Sequence, residues 1–489
     1  MTGRGKSRKE STKRPGESRA KSPTPTRTRS ARQTKGPRGP QYAQDTCVTE
    51  SGRIPNPVSD PSPKSASCNP EDSNHVQQVV KNVETTARKK FPRKGNSVES
   101  TDGQSADRNE NAPQGIAKKL TRRGSSFEGN PNKTLTSTLE KLKLRKVDRS
   151  EATRHVKDAV KAIEEQLKQF PWFKDIKELN TGSYFENVKI GEPDEFDVMM
   201  VVPVERVDIQ PFGDDGAFYS VALKRPSKHQ LDRFLDQEKR IKASEMLNEF
   251  RKVVVEAVST LEGVDVTRKR PGCPAVTLKL RDTIDVDIVL GLEVHGSWPN
   301  FTTDGFMIEN WLGRKEKRVY RLKPYYLVPK YTGRGGAECD GVVAKDAWRI
   351  SFSHVEKDIL MKHGHAKTCC EKNATPCCRK KCLKLLKYLL AQLKEKHQKE
   401  LSKFCSYYAK TTLFHACAER VEDSDWAVDR LSDCFQQLLQ DFEGHLRSGS
   451  LPNFFIPTQN LLCGLDRKSC RFLADRIEEQ RNNGFPIFT

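Results

Sequence analysis

Residues 179–200 read LNTGSYFENVKIGEPDEFDVMM. Thr181, Gly182 and Ser183 stand about a dozen residues ahead of an acidic pair, Glu195 and Asp197, set around Phe196. Alternate side chains of a strand share one face, so these carboxylates stand roughly 6.6 Å apart on the same side. Holding them against apolar neighbours is unfavourable unless a cation lies between them. The spacing suits a pair of Mg²⁺ ions, with Mn²⁺ as a substitute, about 3.5–4 Å apart, the arrangement used for nucleotidyl transfer. A third carboxylate is available in TIDVDIVL, residues 283–290, where Asp285 and Asp287 share a face of a second apolar strand. The Gly-Ser turn leads into Tyr184-Phe185-Glu186-Asn187, a candidate short helix whose amides and hydroxyl would cradle a triphosphate. The rival reading is an ordinary half-buried sheet with an acidic edge. Gly-Ser or one Glu-x-Asp alone is weak; together with the second strand they favour metal chemistry.

Working outward, the apolar spacing predicts a helical run from Leu139 to Leu167, interrupted near Asp148-Arg149-Ser150 and closed by Pro171. Strands are expected at 197–204, 218–223, 264–266, 275–280 and 283–292, with one or two helices over 231–261. From Trp348 the pattern is mainly helical: 353–363, 381–396, 402–417, 429–446 and 466–481. The fold class is therefore α+β. The expected domains are an N-terminal arm (1–134), a first helix with a mixed-sheet catalytic lobe (135–345), and a helical lobe (346–489) closing over it.

The chain has 489 residues and a net charge of +21, which points to polyanionic partners. Residues 1–40 carry thirteen Lys and Arg against two acids, over half of that excess. Residues 1–134 are rich in Ser, Pro, Thr, Gly and basic side chains with no sustained apolar period, so they are expected to be disordered. A nucleic-acid-binding arm is favoured over a solubilising tail. No signal-peptide core is present, and no stretch reaches the ~20 apolar residues needed to span a bilayer. The expected location is cytosol and nucleus, where cysteines serve as thiols or metal ligands and not as disulfides.

Six of the fourteen cysteines fall between Cys369 and Cys405. The pattern His363-x5-Cys369-Cys370-x6-Cys377 supplies four soft ligands that could close a tetrahedral structural Zn²⁺ site. His365, Cys378 and Cys382 compete for the same role, and a reduced Cys-rich loop is the alternative. Lys357, Lys367, Lys380 and Lys384 lie around it, a basic patch suited to phosphate-backbone contacts.

The Gly-Ser turn, acid-x-acid strand and distant Asp resemble the nucleotidyltransferase superfamily. Joined to the His/Cys spacing, they resemble the cyclic GMP-AMP synthase family of vertebrate innate immunity. The resemblance covers about 135–489 and includes LEKLKL, NTGSY, EFDVM, GCPAVTL, VDI, RLKPYYLVPK, WRISFSHVEKDIL and RNNGFP. The zinc insertion separates this family from the oligoadenylate synthetases.

That resemblance implies a nucleotidyltransferase-fold lobe and a helical lobe with a zinc-pinned insertion at 363–377. It implies Mg²⁺ on Glu195, Asp197 and Asp287, the VDI frame selecting Asp287 over Asp285. It implies nucleotide contacts from Thr181, Gly182, Ser183, Arg349, Ser351, Ser353 and Glu356. Lys387 and Ser406 would bind the triphosphate, Tyr407 would stack on a base, and Lys410 would be a further nucleotide contact. The zinc ligands would be His363, Cys369, Cys370 and Cys377. DNA would meet Lys143, Lys146, Lys357, Lys367, Lys380 and Lys384. The implied activity makes cyclic GMP-AMP with 2′–5′ and 3′–5′ links from ATP and GTP. Double-stranded DNA would switch it on within a two-to-two homodimer, with chromatin a further contact. The stimulator-of-interferon-genes receptor would read the product. A linear oligoadenylate-type synthase and a non-catalytic DNA sensor are the alternatives. Two departures stand out: the loop from Tyr331 to Lys345 is longer than the family pattern, and Pro376 replaces an expected basic residue.

Overall fold

A computed structural model describes residues 131–489 apart from 225–229, 269–271, 332, 334 and 365–375. The arm up to residue 130, His365, Lys367, Cys369 and Cys370 lie outside the described residues, as does the side chain of Lys146.

The first helical run is two helices, α1 (Pro131–Lys141) and α2 (Lys146–Leu167). The break falls at 142–145 and not at 148–150; Asp148 lies in the first turn of α2. An acid there is favoured by the positive end of the helix, so that polar triplet opens the helix and does not interrupt it. Ala152, Val156, Ala159, Val160, Ile163 and Leu167 form its buried stripe.

Next come β1 (Lys177–Thr181), α3 (Gly182–Phe185), β2 (Glu195–Val204), β3 (Val207–Phe212) and β4 (Phe218–Leu223). They are followed by α4 (Ala243–Val258), β5 (Val264–Val266), β6 (Ala275–Leu280) and β7 (Ile284–Val294). Then α5 (Arg314–Arg321), β8 (Tyr325–Pro329) and a hairpin of β9 (Glu338–Cys339) and β10 (Val342–Val343) lead to β11 (Trp348–Ser351). The main sheet runs β1-β2-β7-β8-β11-β4-β3, with β6 on the first half of β7 and β5 beside β6. β2 and β7 are parallel and form its centre. Phe196, Val198, Met200, Val202, Val286, Ile288, Leu290 and Leu292 are buried on the core face. Truncating one of them, such as Phe196→Ala, costs about 3–5 kcal/mol.

Residues 348–351 were expected to begin the helical half, yet they form β11, paired with both β8 and β4. Trp348 and Ile350 are buried while Arg349 faces solvent. This is a period of two too short to stand out in sequence. The loop from Tyr331 to Lys345 holds the β9–β10 hairpin. Arg240 grips it by donating to the carbonyls of Asp340 and Gly341, each at 3.1 Å.

The helical half contains α6 (Ser353–Met361), α7 (Arg379–Lys396), α8 (Gln398–Leu401), α9 (Ser406–Glu419), α10 (Leu431–Ser448) and α11 (Arg467–Asn482). Asp466 caps α11 by accepting from the Ser469 amide, and Gly449 ends α10 in the left-handed conformation. One continuous apolar cluster runs from the core face of the sheet into these helices. Both halves therefore share a core, which fixes β2, α6, α7 and α9 around a single edge.

Candidate active site

The parallel register sets Glu195 opposite Asp285 and Asp197 opposite Asp287. Because side chains alternate, these four acids and Thr277 on β6 stand on the face opposite the core. Thr277 Oγ1 donates to Asp287 Oδ1 at 2.5 Å. Burial, then the neighbouring charges of Glu195, Asp287 and Glu186, push the Asp197 carboxyl up to about 7.

Gly182 opens α3 at φ 76°, and a Cβ built on it would lie 1.8 Å from Asp197 Oδ2. Only glycine lets the turn come this close to the carboxylate. Thr181 is buried beside it and its Oγ1 donates to the Asp197 carbonyl at 3.4 Å. Ser183 is half-buried in the same turn.

Three lysines converge on the stretch that follows. Lys189 Nζ lies 2.8 Å from Glu195 Oε2 and 3.0 Å from Asp194 Oδ1. Burial opposes its charge, but those two carboxylates win and raise its pKa. Lys387 on α7 donates to the Val188 carbonyl at 2.9 Å, and burial pulls its pKa down to about 8. Lys410 on α9 bridges Glu186 at 2.9 Å and Glu356 at 2.7 Å. Its burial is outweighed by those carboxylates, which hold it charged. Tyr407 donates to Glu356 Oε1 at 2.9 Å. Ser351 on β11 accepts from the Ser353 amide at 3.4 Å, while Arg349 and Ser406 are exposed. Glu186, Lys189, Glu195, Glu356, Lys387, Tyr407 and Lys410 are thereby linked, directly or through the 186–195 stretch, beside the acidic edge.

A divalent ion fits this donor set. The donors are hard carboxylate oxygens, crowded enough to disfavour full ionisation, with a glycine-lined cradle beside them and a lysine ammonium on one of them. Among the described residues no three His, Cys, Asp or Glu are already drawn together closely enough to grip an ion.

Of the four expected soft ligands, His363 and Cys377 lie among the described residues. His363 and Cys377 are buried, with Nε2 and Sγ 3.1 Å apart. Nδ1 lies 2.9 Å from the Leu360 carbonyl. A carbonyl only accepts, so Nδ1 carries the proton and Nε2 faces Cys377 with its lone pair, an orientation compatible with metal ligation. Cys378 and Cys382 are buried in the core, where Cys378 is hydrogen-bonded to Cys382 and Cys434.

On the adjoining surface, burial and the charges of Lys380 and Arg149 lower the pKa of Lys384. Lys143 is exposed, and Lys357 donates to the Asn180 carbonyl at 3.0 Å. A groove of about 570 Å³ is lined by Arg149, Ser150, Thr153, Arg154, Lys157, Asp158 and Tyr184. Tyr184 Oη lies 2.7 Å from Thr153 Oγ1 and donates to the Arg149 carbonyl at 3.3 Å.

Residues 184–362 match the Mab-21 protein nucleotidyltransferase domain, and residues 378–479 match the Mab-21 protein HhH/H2TH-like domain. The chain is similar to the cyclic GMP-AMP synthase of Mus musculus, 46% identical over 75% of this chain and 72% of that protein. The chain belongs to the cyclic GMP-AMP synthase family. Its similarity to the cyclic GMP-AMP synthase of Sus scrofa is 44% over 72% of each chain. A cyclic GMP-AMP synthase-like receptor of Magallana gigas is 24% identical over 68% of this chain and 54% of its own length. As a member of the cyclic GMP-AMP synthase family, this protein is a nucleotidyltransferase enzyme, and the family implies a divalent metal and nucleotide substrates. Among the described residues no helix is long and apolar enough to cross a membrane.

Sequence reasoning missed Glu186, Lys189, Arg149, Arg154 and Lys157. The last three recur on one face of α2 beside an apolar stripe, a signal legible once the start of that helix is placed at Lys146. Nothing local in sequence marks Lys189 or Glu186.

Proposed function

We propose that this protein joins ATP and GTP into cyclic GMP-AMP when double-stranded DNA binds it. The observation that carries the reading is the register of Asp197 against Asp287 beside the Gly182 turn. Glu195, Asp197 and Asp287 would hold two Mg²⁺ ions, which when bound neutralise phosphate charge and acidify a ribose hydroxyl. Thr181, Gly182 and Ser183 orient the triphosphate, and the Lys387 ammonium with Ser406 steadies its far end. Arg349, Ser351, Ser353 and Glu356 fix the bases, and Tyr407, anchored through its hydroxyl to Glu356, stacks on one of them. Lys410 holds Glu356 in place through their 2.7 Å ion pair. The ribose oxygen attacks the α-phosphorus in line, the bond to pyrophosphate breaks, and a second such step closes the ring. Catalysis is positioning and charge neutralisation.

His363, Cys369, Cys370 and Cys377 would form the Zn²⁺ site, supported by the approach of His363 to Cys377. DNA would lie across Arg149, Lys380 and Lys384, with Lys143, Lys146, Lys357 and Lys367 adding phosphate contacts. The crowding of Lys384 with Lys380 and Arg149 supports this, since phosphate relieves it. Tyr184 touches the α2 groove and directly follows the Gly-Ser turn, a short route from duplex to site. A two-to-two complex on DNA, cytosolic and nuclear location, and a product read by the stimulator-of-interferon-genes receptor complete the proposal.

The test is incubation of purified protein with ATP, GTP, Mg²⁺ and duplex DNA, followed by product mass. A cyclic GMP-AMP mass that depends on DNA is expected. Linear oligoadenylate, or no product, would overturn it.

A further inference from the structure

The nucleotide roles above do not use the position of Lys189, a buried cation in the site. Its side chain is only 10% exposed, whereas its partners Asp194 and Glu195 are more than half exposed. The chain therefore withdraws an ammonium from water in order to set it on the rim of the acidic edge. The stretch is held from three sides. Lys387 fixes the neighbouring Val188 carbonyl, Lys410 fixes Glu186, and the Asp285 amide donates to the Asp194 carbonyl at 2.7 Å. The ammonium consequently points at Glu195 through a braced backbone and not through a freely swinging arm.

We propose that Lys189 is a built-in cation that occupies the Glu195 carboxylate until a divalent ion replaces it. This rests on the reading of Glu195, Asp197 and Asp287 as metal ligands. The pair satisfies Glu195 in the resting protein, so the acidic edge does not repel itself apart before substrate arrives. A single positive charge on Glu195 and Asp194 is a weaker match for the edge than a divalent ion shared with Asp197 and Asp287. The exchange is therefore downhill only when a metal, or a metal carried by a nucleotide, is delivered. Metal affinity in the nucleotide-free protein is held down by the cost of ejecting Lys189.

The test is calorimetric titration of Mn²⁺ into the nucleotide-free full chain, with thermal melts confirming that each variant folds. Lys189→Met and Lys189→Gln remove the competing charge, and Lys189→Arg retains it. Mn²⁺ should bind both uncharged variants about two- to fivefold tighter than wild type, the range of an ion pair whose carboxylates are more than half exposed. Lys189→Arg should behave as wild type. Wild-type or weaker Mn²⁺ affinity in both uncharged variants overturns the exchange, provided Glu195→Gln abolishes Mn²⁺ binding as the metal assignment demands. Mn²⁺ binding untouched by Glu195→Gln would instead overturn the metal assignment and the exchange with it.

Discussion

Asp197 and Asp287 stand directly opposite one another across the parallel strands β2 and β7, with the Gly182 turn packed against the first. Neither strand alone holds enough charge to bind a metal pair. Their register brings the carboxylates to one edge, where burial and mutual repulsion make a cation the favourable partner.

Replacing Glu195, Asp197 or Asp287 by the matching amide should lower DNA-stimulated synthesis at least about a hundredfold, the scale of one lost electrostatic contact to the transition state. Duplex affinity should stay near wild type, because the basic groove is built from other residues. Single-turnover synthesis and fluorescence anisotropy check the two halves separately.

Gly182→Ala should abolish synthesis and lower stability by about 1–3 kcal/mol. The new Cβ meets Asp197 Oδ2, and the left-handed backbone disfavours alanine. Denaturant melts beside an activity assay give both numbers. A fully active Gly182→Ala would mean that the turn does not need this close approach.

Lys387 offers a pH test. Burial lowers its folded pKa to about 8 against an ordinary 10.5. Between those values the unfolded chain holds a proton that the folded chain has released. Stability therefore rises with pH across that window, and below pH 8 the buried charge is a standing penalty. Lys387→Met should raise the melting temperature at pH 7 and flatten its rise between pH 8 and 10. It should also weaken the stabilisation conferred by ATP. Melts across pH, with and without ATP, check both.

Cys377→Ala or His363→Ala should remove one zinc per chain and with it the response to DNA, because a structural metal couples ligand binding to local folding. Elemental analysis paired with synthesis in duplex DNA is the measurement. A zinc-free variant that still responds fully would make the site dispensable.

Lys384→Glu should weaken duplex binding and reduce the steepness of its salt dependence by about one charge or more. Basal synthesis without DNA should stay unchanged, since Lys384 lies on the groove side with Arg149 and Lys380.

Much of this was legible from residues in order. EFDVMMVV and TIDVDIVL announce themselves as strands because β-branched and apolar residues alternate with acids. The amphipathic periods of α2, α4, α7, α10 and α11 are equally plain. These are local properties, determined by side-chain chemistry at a spacing of two or of three to four. The short strands β1 and β11 carry too few residues for a clear period to emerge, β3 holds Pro211 within its run, and β8 reads as a uniform apolar run. The sheet selects them through partners distant in sequence.

The sequence by itself determined which residue types could hold metal, phosphate and zinc, the family, and the α+β class. Tertiary structure alone decided which acids face each other, because the β2–β7 register depends on a shared core. It also decided that Cys378 and Cys382 turn inward while Cys377 meets His363. Likewise it set Lys189, Lys387 and Lys410, from separate elements, on one stretch of backbone. The physical reason is the same in each case. A side chain's chemistry is written where it stands in the chain, but its electrostatic partners are chosen by packing, and packing is a property of the whole core.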